Sequence, residues 1–179
     1  MQVTICTANC VGQVGNCSYP NKVTVVTPEQ LQEAVKKDHV CAEFKGNYRS
    51  IENFIRSDVI VMDIDNDHTE VPADWITAEK LEELFPNVEY LLAPSRHHLL
   101  DKEGKSARPR YHMYFPISEI TDASRYANLK KAIQSAYAFF DGNALDAARF
   151  IFGAECEEVI FHEGWMTVDE EVEVSDIEE

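Results

Sequence analysis

The run Asp58-Val59-Ile60-Val61-Met62-Asp63-Ile64-Asp65 decides how this chain reads. Successive side chains of a strand point to opposite faces. Val59 and Val61 therefore face one way, and Ile60, Met62 and Ile64 the other. Apolar residues on both faces predict a central strand covered on both sides. Asp63 and Asp65 break into that run and project together from one face. Two like charges at a partly dry strand end raise each other's pKa unless a cation intervenes. Hard divalent ions such as Mg²⁺ or Mn²⁺ take carboxylate oxygens. Asn66-Asp67-His68 is ordinary turn chemistry after a strand. Turn chemistry does not account for Asp63, which interrupts the apolar run.

Elements alternate on either side of this strand. Residues 3–7 and 22–26 read as strands, with a Gly/Asn loop between them. Thr27-Pro28-Glu29-Gln30 opens a helix with a capping box, and Leu31, Ala34 and Val35 form its apolar stripe. A short strand is expected over 40–44, and a turn with a short helix over 46–57. A helix over 78–85 is capped by Thr77, and a strand over 88–93 ends at Pro94. Residues 110–117 make a further strand, and 121–140 the longest helix. Tyr126, Leu129, Ile133, Tyr137 and Phe140 form one buried face of that helix. A last strand is expected over 159–162. The pattern predicts an α+β (or α/β) fold with a mixed sheet and a hairpin between 88 and 117.

That hairpin carries the second cluster: Ser95-Arg96-His97-His98, then Lys102, Lys105, Arg108, Arg110 and His112. On the second strand Arg110, His112 and Tyr114 share a face, and Tyr111, Met113 and Phe115 the other. Basic groups beside a carboxylate-metal site suit a triphosphate, and Arg binds phosphate bidentately. The competing reading is a solvated basic loop, which His98 alone favours. A third element, Leu145-Asp146-Ala147-Ala148-Arg149-Phe150, brings one more acid, which N-capping of a short helix also explains.

The net charge is −16, from 16 basic and 32 acidic residues. Residues 155–179 hold 11 acids and no Lys or Arg, so the rest, with 16 basic and 21 acidic groups, carries −5. The acidic end, 166–179, reads as a solvated tail or linker. No stretch is apolar enough for a bilayer, and no secretory signal is visible at the N-terminus. The five cysteines lack any C-x2-C, so reduced thiols in a cytoplasmic protein are expected, without zinc or disulfides.

The ordered triplet resembles the archaeo-eukaryotic primase superfamily, the primase-polymerases, and looks closest to those of phages and other mobile elements. An acidic pair (Val-Ile-Val-Met-Asp63-Ile-Asp65) precedes a basic, histidine-bearing hairpin. That hairpin runs from Ala-Pro-Ser95-Arg-His97-His through Arg108-Pro-Arg110-Tyr-His112-Met-Tyr-Phe. The third acid stands in Leu-Asp146-Ala-Ala-Arg149-Phe. The resemblance covers roughly residues 40–155 and rests on motifs. It implies an RRM-like catalytic module over 58–165 joined to an N-terminal αβ module over 1–57, together a catalytic domain over 1–165. It implies that Asp63, Asp65 and Asp146 bind two Mg²⁺ or Mn²⁺ ions for nucleotidyl transfer. It also implies a histidine on the incoming nucleotide. His112 is the expected residue, although Ser95-Arg96-His97 carries the family's small-residue-x-His spacing. Ser95, Arg96, His97, Lys105, Arg108, Arg110 and Arg149 are then expected to line the nucleotide site, and Lys45 and Arg49 to contact DNA.

The implied activity is primer synthesis or extension on a DNA template from nucleoside triphosphates. A helicase or further replication domain beyond residue 179 is an expected partner, and a membrane is not. Three alternatives compete. A metal-dependent nuclease uses the same acids and bases. A rolling-circle replication endonuclease needs His-hydrophobic-His and a tyrosine nucleophile. Here His97 and His98 are adjacent, and Lys130 stands one position late after Tyr126. A non-catalytic nucleotide- or nucleic-acid-binding module is the third, against which the intact acids argue.

Overall fold

The computed structural model describes residues 1–178. In chain order the elements are β1 (Val3–Thr7), β2 (Asn21–Val25), α1 (Pro28–Ala34), β3 (His39–Val40), β4 (Glu43–Phe44) and β5 (Phe54–Ile64). Then come α2 (Ala78–Leu84), β6 (Tyr90–Pro94), β7 (Tyr111–Ile120), α3 (Ala123–Ala136), β8 (Phe150–Ile151), β9 (Ile160–His162) and α4 (Val168–Glu178). They build two sheets, ordered β2-β1-β3-β8 and β4-β5-β7-β6-β9. Every strand pairing is antiparallel. The expected mixed sheet is therefore corrected. The single parallel contact among the described residues is an isolated bridge between Val88 and Met166. The fold class is α+β.

β5 is the 11-residue strand that the opening run announced, and it lies between β4 and β7. Its two faces enter two cores. Ile60, Met62 and Ile64 pack with Met113 and Phe115 of β7 and with Leu81, Tyr126 and Ile133 of the helices. Val59 and Val61 pack with Tyr114, with Val3 and Ile5 of β1, and with Leu31 of α1. The side shared by Val59, Val61 and Asp63 thus faces the four-stranded sheet, and the carboxylates emerge at its end.

Local signals placed the caps well. Thr27 and Gln30 form the capping box at α1, and Thr77 accepts from the Lys80 amide at α2. Other boundaries differ. Residues 40–44 split into β3 and β4, in different sheets, because Cys41-Ala42 crosses between them. Phe54 and Ile55 belong to β5 rather than to a helix, and Ile51 is exposed. α3 stops at Ala136, where the Tyr137 amide closes the last turn on the Ile133 carbonyl. Lys130 is buried within its apolar stripe.

The two modules interleave, so residue 57 is no boundary. β5 starts at Phe54, and β8, from the far end of the chain, completes the N-terminal sheet by pairing with β3. The acidic end is not simply solvated. α4 buries Val168 and Val172 in the same core as Tyr126 and Phe140. Valines four residues apart share one helix face, and that stripe docks the helix despite Asp169, Glu170 and Glu171 in its first turn.

A candidate active-site cavity at the end of the central strand

Strand register brings the first two clusters together. His112 of β7 lies directly opposite Asp63 on one side and Ala93 on the other. Its Nε2 is 3.7 Å from Asp63 Oδ1, and Arg149 Nη2 is 3.7 Å from Asp63 Oδ2. Both distances exceed hydrogen-bond length, so Asp63 is flanked by these groups without being consumed by them. Burial pushes the His112 pKa below its ordinary value, against the opposing pull of Asp63. Burial therefore favours the uncharged ring. Burial also raises the Asp65 carboxyl pKa, and the Asp67 and Asp141 charges add to this. The Asp67 amide and Arg110 act in the other direction.

These groups line a cavity of about 320 Å³. Its acids are Asp63, Asp65 and Asp141, and its cations Arg96, Lys102, Arg110 and Arg149. Ser95, His97 and His112 also line it. Sequence reasoning missed Asp141. The Asp141 amide donates to the Asp63 carbonyl at 2.9 Å, which ties residue 141 to the end of β5. Its Oδ1 accepts from the Asn143 amide and side chain at 3.0 and 3.2 Å. The only hint was its place in Asp141-Gly142-Asn143, which reads as a turn. Asp146, the expected third acid, is exposed and lies outside the cavity. Its Oδ1 accepts from the Ala148 amide at 2.8 Å, so it caps a turn rather than a helix. Buried Lys130 sits in the field of both Asp63 and Asp146. Burial lowers its pKa, and the two carboxylates oppose that shift.

The hairpin residues divide. Arg110 is 2% exposed. Its Nη1 donates to the Asp65 carbonyl and lies 2.9 Å from Asp67 Oδ1. Its Nε and Nη2 are buried and have no hydrogen-bond partner among the described residues, donors that an anion entering the cavity would satisfy. Arg108 does not line the cavity. It is fully buried and donates to the carbonyls of Asn66, Thr69 and Ser106, to Glu70 Oε2 and to Ser106 Oγ. It also lies over Trp75, so it braces the turn after the acid pair and has no donor left for phosphate. Lys105 is also outside, 3.7 Å from Asp67 Oδ2, and Lys102 takes the cavity position instead. His98 is structural: its Nδ1 accepts from the Arg110 amide at 3.0 Å. Arg49, expected on DNA, donates to the Ala148 carbonyl at 3.0 Å and lies over Phe150. Lys45 is exposed. Tyr126 is buried and its hydroxyl donates to the Val59 carbonyl at 2.7 Å, so it cannot serve as a rolling-circle nucleophile.

Among the described residues no three His, Cys, Asp or Glu side chains are grouped closely enough to form a complete metal cage. The donor set nonetheless fits a hard cation of one kind. Mg²⁺ is commonly bound by one or two carboxylates, with phosphate oxygens and water supplying the rest. Asp63 and Asp65, on one strand face beside the unpartnered Arg110 donors, match that mode.

No family model matches the sequence, and a search of curated proteins finds no match. Among solved structures the chain is similar to the AEP (archaeo-eukaryotic primase) domain, PP-N190, of the primase-polymerase of cyanophage S-2L. The TM-score is 0.52 and the identity 14%, over 97% of this chain and 87% of that one. At that identity the likeness shows a similar fold.

Proposed function

We propose that the protein is a nucleotidyltransferase of the primase-polymerase kind, extending or making primers on a DNA template from nucleoside triphosphates. The observation that carries this reading is the cavity itself. It places the Asp63–Asp65 pair, His112 in register with Asp63, and four cationic side chains around one space. A phage-type primase-polymerase with the same fold supports the choice among metal-dependent chemistries.

In this reading the primer 3′-hydroxyl attacks the α-phosphorus and pyrophosphate leaves. Asp63 and Asp65 would hold Mg²⁺ or Mn²⁺, which supplies charge stabilisation for the attacking and leaving oxygens. Asp141 lines the same cavity and adds a third negative charge to it, whereas Asp146 lies outside. Arg110 offers its two unpartnered donors to the triphosphate, and Arg149 and Lys102 add positive charge. Neutral His112, held opposite Asp63, can donate one hydrogen bond to a phosphate oxygen.

The test is incubation with a labelled primer–template, nucleoside triphosphates and Mn²⁺. Extension abolished by Asp63→Asn is the expected result. Strand cleavage without extension would replace this reading with a nuclease. Nucleotide binding without turnover would replace it with a binding module.

A further inference from the structure

We infer that Phe152 and the guanidinium of Arg96 form the surface on which the incoming nucleobase stacks, and that this surface accepts all bases. The inference rests on the nucleotide site proposed above and assigns it a base-binding wall.

The cavity lining is aromatic as well as charged. Phe150, Ile151 and Phe152 run consecutively along its lining, with Arg96 beside them. The Arg96 guanidinium carbon lies 3.8 Å from the Phe152 ring centroid, a stacked cation–π contact. Phe152 meets Phe150 edge-on, with centroids 4.9 Å apart at 81°, and Arg49 lies over Phe150 at 4.8 Å. Two arginines and two rings thus brace one another, and Phe152 remains half-buried on the cavity side. Arg96 lies over this ring, and in this inference it serves the base, where its place in the sequence pointed to the phosphates.

The wall is built rigidly. Gly153 follows it, and its amide donates to Asp38 Oδ1 at 2.8 Å. A Cβ on Gly153 would stand 2.3 Å from the Lys36 carbonyl oxygen, so only glycine fits that crossing. The same fully buried carboxylate accepts from the amides of Gly12 and Gln13. It thereby fixes the loop that brings Val14, 72% exposed, to the cavity. One buried aspartate thus anchors both the loop of Val14 and the end of the Phe150-Ile151-Phe152 run.

Stacking is sequence-tolerant because every base has a π-face. The wall therefore predicts binding of all four nucleotides, with purines favoured by their larger face.

The experiment is calorimetry in Mn²⁺ with each of four nucleoside triphosphates and with inorganic tripolyphosphate, which lacks a base. Wild type is compared with Phe152→Ala, Phe152→Leu and the charge-conserving Arg96→Lys. Phe152→Ala should weaken nucleoside triphosphates by about 5- to 50-fold, on the scale of one lost base stack. Phe152→Leu and Arg96→Lys should lose less, and tripolyphosphate should stay within about twofold throughout, because phosphate recognition lies elsewhere. Parallel losses for nucleotides and tripolyphosphate would overturn the inference, since Phe152 would then only support β8. Unchanged nucleotide affinity in Phe152→Ala would overturn it directly. Wild-type protein that binds neither probe would instead remove the nucleotide site proposed above.

Discussion

Asp63 has a buried methionine before it in the chain and a buried isoleucine after it, yet its own side chain is 17% exposed. Strand alternation separates these fates. Such an acid is tolerable where a cation meets it. Asp63→Asn with Asp65→Asn should therefore abolish Mn²⁺ binding in a titration while the thermal unfolding midpoint holds or rises. Unchanged Mn²⁺ affinity would refute the site. The two hairpin arginines make a second, sharper test because both are buried. Arg110→Ala should weaken nucleotide binding by about 1.5–3 kcal/mol, the scale of a lost charge-assisted hydrogen bond. Arg110→Lys should rescue only part, since an ammonium does not reproduce the fork. Arg108→Ala should instead cost about 2–4 kcal/mol of stability in urea unfolding, because it strands several buried carbonyls. A stable Arg108→Ala protein with lost nucleotide affinity would return Arg108 to the phosphate site.

At the scale of elements, what the sequence disclosed follows how local each determinant is. β5, the hairpin β6–β7, α1 and α2 were legible because alternation and caps are carried by neighbouring residues. That Asp63, Asp65 and His112 meet at one strand end was legible because an acid in an apolar strand and a polar strand face are visible without knowing the partners. The place of Asp141, and not Asp146, in the cavity lining was not, because it depends on a backbone bond from residue 141 to residue 63. Nor was the split between Arg108 and Arg110, two residues apart in one basic cluster. Which arginine turns toward the Asn66 turn is settled by tertiary hydrogen bonds alone. α4 was misread for a related reason: 11 acids in the last 25 residues masked a two-valine stripe. That stripe gives a prediction of its own. Val168→Ala and Val172→Ala should each lower stability by about 1–2.5 kcal/mol, as expected for buried valines. An acidic tail that was merely solvated would show no loss in denaturant unfolding.

At the scale of the whole molecule, the two sheets are joined through a buried polar pair. His39 of β3 and Tyr114 of β7 stack with ring centroids 6.0 Å apart, and Tyr114 packs in the core between the sheets. The two His39 nitrogens have different partners. Nδ1 lies 2.8 Å from the Lys37 carbonyl, so it must donate, and Nε2 therefore accepts from the Tyr114 hydroxyl at 2.7 Å. A second proton, on Nε2, would force the Tyr114 hydroxyl to turn from donor to acceptor within the core. Burial accordingly pushes the His39 pKa down to about 4, helped by the nearby His112 and opposed by the Lys37 carbonyl and Asp38. In the unfolded chain the value returns to about 6.5. Between these values the unfolded state binds the extra proton, so stability rises with pH across that window. The contribution is complete above about pH 6.5 and is lost as pH falls towards 4. Two and a half units correspond to about 3 kcal/mol. Urea unfolding from pH 7.5 to 4.5 should show this slope in the wild type on top of the carboxylate titrations. His39→Gln, which keeps a donor and an acceptor but cannot titrate, should be less stable at pH 7 and show a flatter slope. Identical slopes in the two proteins would mean that His39 charges freely in the folded state, and that the sheets are not joined through a neutral imidazole.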